Sequence, residues 1–264
     1  MQIELAHSTW RWTEKGSGTP VVWIHGFPLS SRVYDAQMSI EGVRHILPDL
    51  PGFGDSPAPS APLSIDDYAA GILAIMDEAG VRSAVVAGLS MGGYIALAVA
   101  RIAMERLCGL ILIDTKETPD SEAARQGRTE SIQKVEESGT GPVVEGMLPK
   151  MLTEQTAREK KEMVDEVRTI MESASPEGVK AALHAMAGRP DASAVLPRIE
   201  VPTLVIVGRE DAITPPSDSE RMRQAIPGAE LVLIDKAAHL SNLENSEEFN
   251  RAATKFLAGI EPRR

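Results

Sequence analysis

A chain of 264 residues with 43% apolar side chains can build one large α/β domain, or one domain with an insertion, and excludes wholesale disorder. Its formal charge of −11 argues against partners such as nucleic acid or anionic membrane surfaces. A single cysteine, Cys108, excludes an intrachain disulfide, and its flanks Leu107, Gly109 and Leu110 mark it as a small buried hydrophobe.

In chain order, residues 2–14 alternate loosely before a turn over Lys15 to Pro20, the pattern of two antiparallel edge strands. The opening Met1 to Leu5 has no basic region followed by an apolar run, so no secretory signal is read and a cytoplasmic location is expected. Val21 to Ile24 is a continuous apolar run, as in a strand buried on both faces, and it ends in His25-Gly26-Phe27-Pro28. The strand Arg44 to Leu47 ends in Pro48-Asp49-Leu50-Pro51-Gly52-Phe53-Gly54-Asp55-Ser56. Ser64, with Asp66 and Asp67 behind it, opens a helix whose apolar positions Ile65, Ala69, Ile72, Leu73 and Met76 keep helical spacing until Gly80. Ser83 to Ala100 is uncharged and nearly as long as a membrane span, but its glycines divide it into a buried strand and a helix. Leu110 to Ile113 is the next strand, closed by Asp114.

From about Glu117 to about Arg198 no buried strand is read. Charges are dense, helical periodicity dominates (Arg158 to Val167 is one case), and breaks near Gly139–Pro142 and Ser175–Pro176 suggest roughly four helices. Met147, Met151, Met163, Met171 and Met186 fall here and are expected mostly to pack this insertion onto the sheet. Strands resume at Thr203–Val207 and Glu230–Ile234, with a helix from about Ser217 to Ala225 between them, a last helix over about Ser246–Ala258, and a tail at Glu261–Arg264 expected to fray. Strand–helix alternation on both sides of the insertion implies a mostly parallel sheet covered on both faces.

The chain is organised around Gly88-Leu89-Ser90-Met91-Gly92-Gly93. This G-x-S-x-G stretch lies between the apolar run Ala84–Ala87 and the helix-forming run Tyr94–Ala100. Glycines beside a serine also mark ordinary turns, but a strand, a sharp turn and a helix would expose the Ser90 hydroxyl as a nucleophile. The new helix would aim its N–H groups at the same point. A serine nucleophile needs a base, an orienting acid and oxyanion donors. His239 follows a late strand, at the carboxyl edge where such loops gather, and is the candidate base. His7, His45 and His184 lack that placement, and His25 reads as a brace for its loop. For the acid, Asp211 follows the strand Thr203–Val207 and precedes His239; Asp114 is its rival, with Glu210 and Asp235 weaker. The Met91 N–H and, from the loop after the earlier strand, the Phe27 N–H are the candidate oxyanion donors. No metal-ligand spacing of histidines and no cysteine pair is present, so neither a metal nor an organic cofactor is expected.

His25-Gly26-Phe27-Pro28, Asp49-x-x-Gly52-x-Gly54-x-Ser56, Gly88-Leu89-Ser90-Met91-Gly92-Gly93, Gly208-x-x-Asp211 and the late His239 occur in one order that resembles the α/β-hydrolase superfamily over most of the chain. The similarity is to small bacterial carboxylesterases and to the 3-oxoadipate enol-lactonase and cofactor-free haloperoxidase group. The resemblance implies an eight-stranded, mostly parallel sheet as core (residues 1–117 and 197–264) and makes residues 118–196 an all-helical cap. It leaves Asp49 and Asp55 without a catalytic role, and Ser90 in place of an aspartate argues against a haloalkane dehalogenase. The expected activity is hydrolysis of a small to medium carboxylic ester through an acyl-enzyme on Ser90. Alternatives are lactone or enol-lactone hydrolysis, carbon–carbon bond hydrolysis, a perhydrolase side activity, and a non-enzymatic ligand sensor with a retained pocket.

Overall fold

The computed structural model describes residues 1–261; positions 262–264 of the tail expected to fray lie outside the described residues. One eight-stranded sheet organises the chain. β1 (Gln2–Leu5) pairs antiparallel with β2 (Ser8–Gly16), and β2 pairs antiparallel with β4 (Val43–Asp49). β3 (Thr19–Ile24), β5 (Ala84–Leu89), β6 (Leu107–Ile113), β7 (Thr203–Gly208) and β8 (Glu230–Ile234) complete a parallel set with β4, in the spatial order β1-β2-β4-β3-β5-β6-β7-β8. The turn expected over residues 15–20 is tighter in the structure. Gly16 and Gly18 take positive φ of 80° and 119°, so β2 runs on to pair Gly16 with Arg44 and β3 already starts at Thr19.

Alternation along the central strands separates two cores. Val22, Ile24, Val86, Leu110 and Leu112 pack on one face against α1 (Ile65–Glu78) and α2 (Met91–Ile102), through residues such as Tyr68, Ile72, Ile95 and Val99. Val21, Trp23, Val85 and Ile111 pack on the other, against Val33 and Tyr34 of the 3-10 helix Ser31–Ser39 and Phe249 and Ala253 of the last helix. Because both faces are covered, these strands are apolar without interruption, and each such side chain contributes about 1.5–3 kcal/mol by leaving water. α1 begins with a reciprocal capping box between Ser64 and Asp67 and is followed by Gly80 at φ 66°. Cys108 is buried in β6.

Between β6 and β7 the described chain is all helical, in five helices and not the four expected: α3 (Glu122–Ser138), α4 (Gly141–Met151), α5 (Glu154–Glu159), α6 (Lys161–Glu172) and α7 (Pro176–Ala187). The periodic run Arg158–Val167 is broken at Lys160, which leaves helical geometry (φ −118°, ψ 61°) and donates its Nζ to the Glu244 carbonyl at 2.7 Å. α8 (Pro216–Ala225) follows β7, and α9 (Ser241–Glu244) and α10 (Ser246–Leu257) follow β8. Met151, Met171 and Met186 are buried in the two cores, as expected of insertion methionines, and Met147 packs partly buried against both while also lining a surface crevice. Among the described residues no helix is long and apolar enough to cross a membrane.

Two alanine substitutions test how tightly α2 is set into the sheet. A Cβ on Gly92 would collide with the Ile24 carbonyl oxygen, whereas one on Gly127, inside α3, meets nothing within 4 Å. Gly92→Ala is expected to destabilise by about 2–3 kcal/mol, and Gly127→Ala to stabilise by about 0.5–1 kcal/mol. Urea unfolding midpoints of the two variants check the contrast.

Candidate active site

Ser90 stands between β5 and α2 with φ 53° and ψ −112°, one of three described non-glycine residues at positive φ. A side chain rarely adopts that backbone, and the neighbours hold it there. The Ser90 N–H donates to the Ile113 carbonyl on β6 (2.8 Å), and the Ser90 carbonyl accepts from Thr115 Oγ1 (2.7 Å) and the Gly93 N–H (2.9 Å). Gly88 and Gly92 let strand and helix close up beside it, since a Cβ on Gly88 would collide with the Gly92 carbonyl. Ser90 is accordingly half-buried, with its hydroxyl clear of the α2 backbone.

His239, in the loop between β8 and α9, reaches this hydroxyl: Nε2 lies 2.9 Å from Ser90 Oγ. Its Nδ1 lies 2.8 Å from Asp211 Oδ2, in the loop after β7. Both side chains are buried. Asp211 is anchored by three further donors: Thr214 Oγ1 on Oδ2 (2.7 Å) and the Ile213 and Thr214 N–H groups on Oδ1 (2.8 and 3.1 Å). With Oδ2 facing it, Nδ1 carries the hydrogen and Nε2 is free to accept one. A serine hydroxyl, an imidazole and a carboxylate in this sequence are able to move a proton off the hydroxyl and hold the resulting imidazolium. Burial pushes the Asp211 carboxyl up, but the charge and hydrogen bond of His239, together with Thr214, bring it below the ordinary carboxylate value. For His239, burial pulls the imidazole down, and the charge and hydrogen bond of Asp211 outweigh it, leaving it above 6.5.

Met91 opens α2, where a first-turn N–H has no intrahelical acceptor. Phe27 lies in the loop after β3, next to Gly26, whose Cβ position would be 3.2 Å from Ser90 Cβ. The structure thus brings all five expected site residues to one sheet edge. His25 packs edge-on against Phe53, as Phe27 does; its Nδ1 bonds the Gly26 carbonyl (2.8 Å) and its Nε2 accepts the Leu50 N–H (3.0 Å), tying the β3 loop to the β4 loop, as a brace would. Asp49 accepts the Ser31 and Asp55 N–H groups and turns the chain. His45 is paired with Trp23 inside the sheet, and His184 lies on α7 in a separate crevice.

Asp114, the rival acid, does not touch His239. Its Oδ1 accepts the Gly208 N–H (2.8 Å) and its Oδ2 accepts the Ser241 N–H (3.2 Å) and Oγ (2.5 Å), so it joins the ends of β6 and β7 to the start of α9. Burial and the nearby Asp211 charge push its carboxyl up to about 8. Glu210 and Asp235, the weaker candidates, are exposed. Sequence reasoning missed Glu244, which accepts the Ala238 N–H on Oε2 (2.6 Å) and the Thr153 N–H and Oγ1 on Oε1 (2.8 and 2.9 Å), linking the His239 loop to the helical insertion. Its only signal is an acidic residue five positions after His239.

The profile described as the alpha/beta hydrolase family matches residues 21–252. Among solved structures, a thermophilic esterase from Thermogutta terrifontis, described with malate bound, superposes with a TM-score of 0.94 at 36% identity, covering 98% of each chain. 3-Oxoadipate enol-lactonase 2 of Acinetobacter baylyi is 29% identical over 204 residues, 77% of this chain and 74% of that protein. A bromoperoxidase from Bacillus anthracis, at 23% identity, shares the fold with a TM-score of 0.84 over 95% of this chain and 96% of its own.

The electrostatics of the imidazole are directly measurable. NMR titration of the His239 ring is expected to give a midpoint above 6.5, and Asp211→Asn is expected to lower it, because burial then acts without the opposing charge. A midpoint that Asp211→Asn leaves unmoved would contradict the pairing.

Proposed function

The chain belongs to the alpha/beta hydrolase family, and from that premise we propose that it is a serine hydrolase cleaving carboxylic esters of small to medium size. The observation that carries this reading is the unbroken hydrogen-bond chain from Ser90 Oγ through His239 to Asp211, drawn from three distant loops and ending on a half-buried hydroxyl. In the proposed reaction His239 Nε2 takes the Ser90 proton as Oγ attacks the ester carbonyl, and Asp211 stabilises the imidazolium. The Phe27 and Met91 N–H groups hold the oxyanion, each worth about 10²–10³ in turnover. His239 then returns the proton to the departing alcohol, leaving Ser90 acylated. A water, deprotonated by His239, attacks the acyl-enzyme; collapse of the second oxyanion frees the carboxylic acid and restores the serine. Every step uses protein groups and water alone.

Residues 118–196 would act as the cap that shapes the pocket, with 1–117 and 197–264 as the core beneath it. Lactone hydrolysis is the second reading, favoured by the similarity to the enol-lactonase; it needs the same groups, with the leaving alcohol tethered to the acyl part.

Turnover of p-nitrophenyl esters of graded chain length is expected to exceed that of lactones, and lactones winning by orders of magnitude would reverse the two readings. Ser90→Ala should abolish fluorophosphonate labelling and lower kcat by about 10⁵–10⁶. Asp211→Asn should cost about 10⁴ and Asp114→Asn far less, since only Asp211 faces the imidazole. Stopped-flow and steady-state assays on the three variants separate these outcomes.

A further inference from the structure

A crevice of about 360 Å³ opens between α3 and α4 and ends on Phe27, the residue proposed as an oxyanion donor. Its walls combine small side chains, Ala124, Gly127 and Ser131 on α3 and Gly146 on α4, with the apolar Val143 and Leu183. Its charged lining is cationic throughout: Arg128, Lys134 and Lys150, with no carboxylate. Acids outnumber bases 38 to 27 in this chain, so an all-cationic crevice runs against the composition. Three other crevices of comparable volume (about 260 to 430 Å³) each contain at least one glutamate, for example Glu159, Glu136 or Glu200.

The cations are also under-neutralised. Arg128 has one carboxylate partner, Asp120, and Asp120 is shared with the buried Arg189 at 2.7 Å. Lys134 and Lys150 are exposed and form no ion pair among the described residues. Two arginines sharing one carboxylate, with two unpaired lysines in the same lining as Arg128, leave a positive field at the crevice that ends on Phe27. Lysine ammonium groups on long stems at a rim can follow a singly charged group without fixing its pose.

Resting on the hydrolase reading above, we propose that the α3–α4 crevice is an anion-accepting subsite, and that the preferred ester carries a carboxylate at the end remote from the scissile bond. The chemical class is the half-ester of a dicarboxylic acid, or a lactone bearing a free carboxylate. The apolar and small walls admit the connecting chain, Lys134 and Lys150 meet the carboxylate, and Arg128 adds to the field.

The test compares monomethyl esters of dicarboxylic acids, from succinate to sebacate, with methyl esters of monocarboxylic acids of matching length. At low ionic strength the native protein is expected to favour at least one half-ester about tenfold in kcat/KM, with the preference shrinking as salt rises. Lys134→Gln combined with Lys150→Gln should remove that preference while leaving the neutral esters unchanged. The free dicarboxylates, titrated calorimetrically into Ser90→Ala with and without the two lysine changes, give a readout independent of turnover. Turnover of neutral esters with no half-ester preference, or a preference that survives the double substitution, overturns the subsite and leaves the hydrolase reading standing. Lysine-dependent dicarboxylate binding in a protein that labels with no fluorophosphonate and turns over no ester overturns the hydrolase reading and keeps the subsite.

Discussion

The left-handed backbone of Ser90 is the constraint on which the site depends. Holding a non-glycine residue there costs about 1–3 kcal/mol, and the cost is met locally. One hydrogen bond to β6 fixes its N–H, Thr115 and the first turn of α2 fix its carbonyl, and Gly88 and Gly92 allow β5, α2 and β3 to meet without a side chain between them. The same turn that strains the residue puts its hydroxyl outside the helix and the Met91 N–H beside it. A relaxed Ser90 would fold its side chain toward the helix N-terminus as an ordinary cap, which it does not do here.

What brings the distant loops to that hydroxyl is a set of buried carboxylates serving as hydrogen-bond acceptors for backbone. Asp114 fastens the end of β7 to the start of α9, Glu244 fastens the His239 loop to Thr153 at the start of α5, and Asp49 closes the loop beneath Phe27. Each accepts from N–H groups that a loop would otherwise leave unpaired in the interior. The His239 loop is also bound to the insertion directly, through the Leu240 N–H on the Met151 carbonyl at 3.2 Å. Position of the imidazole is therefore coupled to the packing of the helical segment, so a change in that segment reaches the site without touching Ser90.

Much of this was legible in the chain, for reasons that differ residue by residue. Ser90 could be read because its signal is local: an apolar run, three glycines and a helix-forming run within a short stretch. His239 and Asp211 could be placed because each follows a strand of the parallel set, and parallel strands deliver their loops to one edge. Asp114 follows a strand in the same way, and nothing in its flanks distinguishes it from Asp211; only the folded positions show whose oxygens are already taken. Glu244 was not readable, since α9 is four residues long, carries no periodicity, and its side chain bonds Thr153, 91 positions away. Periodicity likewise announced the helical insertion without revealing the break at Lys160, where the side chain reaches the distant Glu244 carbonyl.

The two buried acids near His239 show why position after a strand does not decide function. Two carboxylates close together in a low-dielectric site do not both ionise readily, so a neighbouring cation or a proton must settle which one does. Asp211 faces the imidazole and four hydrogen-bond contacts in all, which hold it in the charged form. Asp114 has two backbone N–H groups and one hydroxyl but no cation in contact, and its carboxyl is pushed up to about 8. Burial and the Asp211 charge thus both act against the ionised form of Asp114. Asp211 is the carboxylate in hydrogen-bond contact with the ring, which is the condition under which the imidazole keeps its Nδ1 hydrogen and presents a bare Nε2 to the serine.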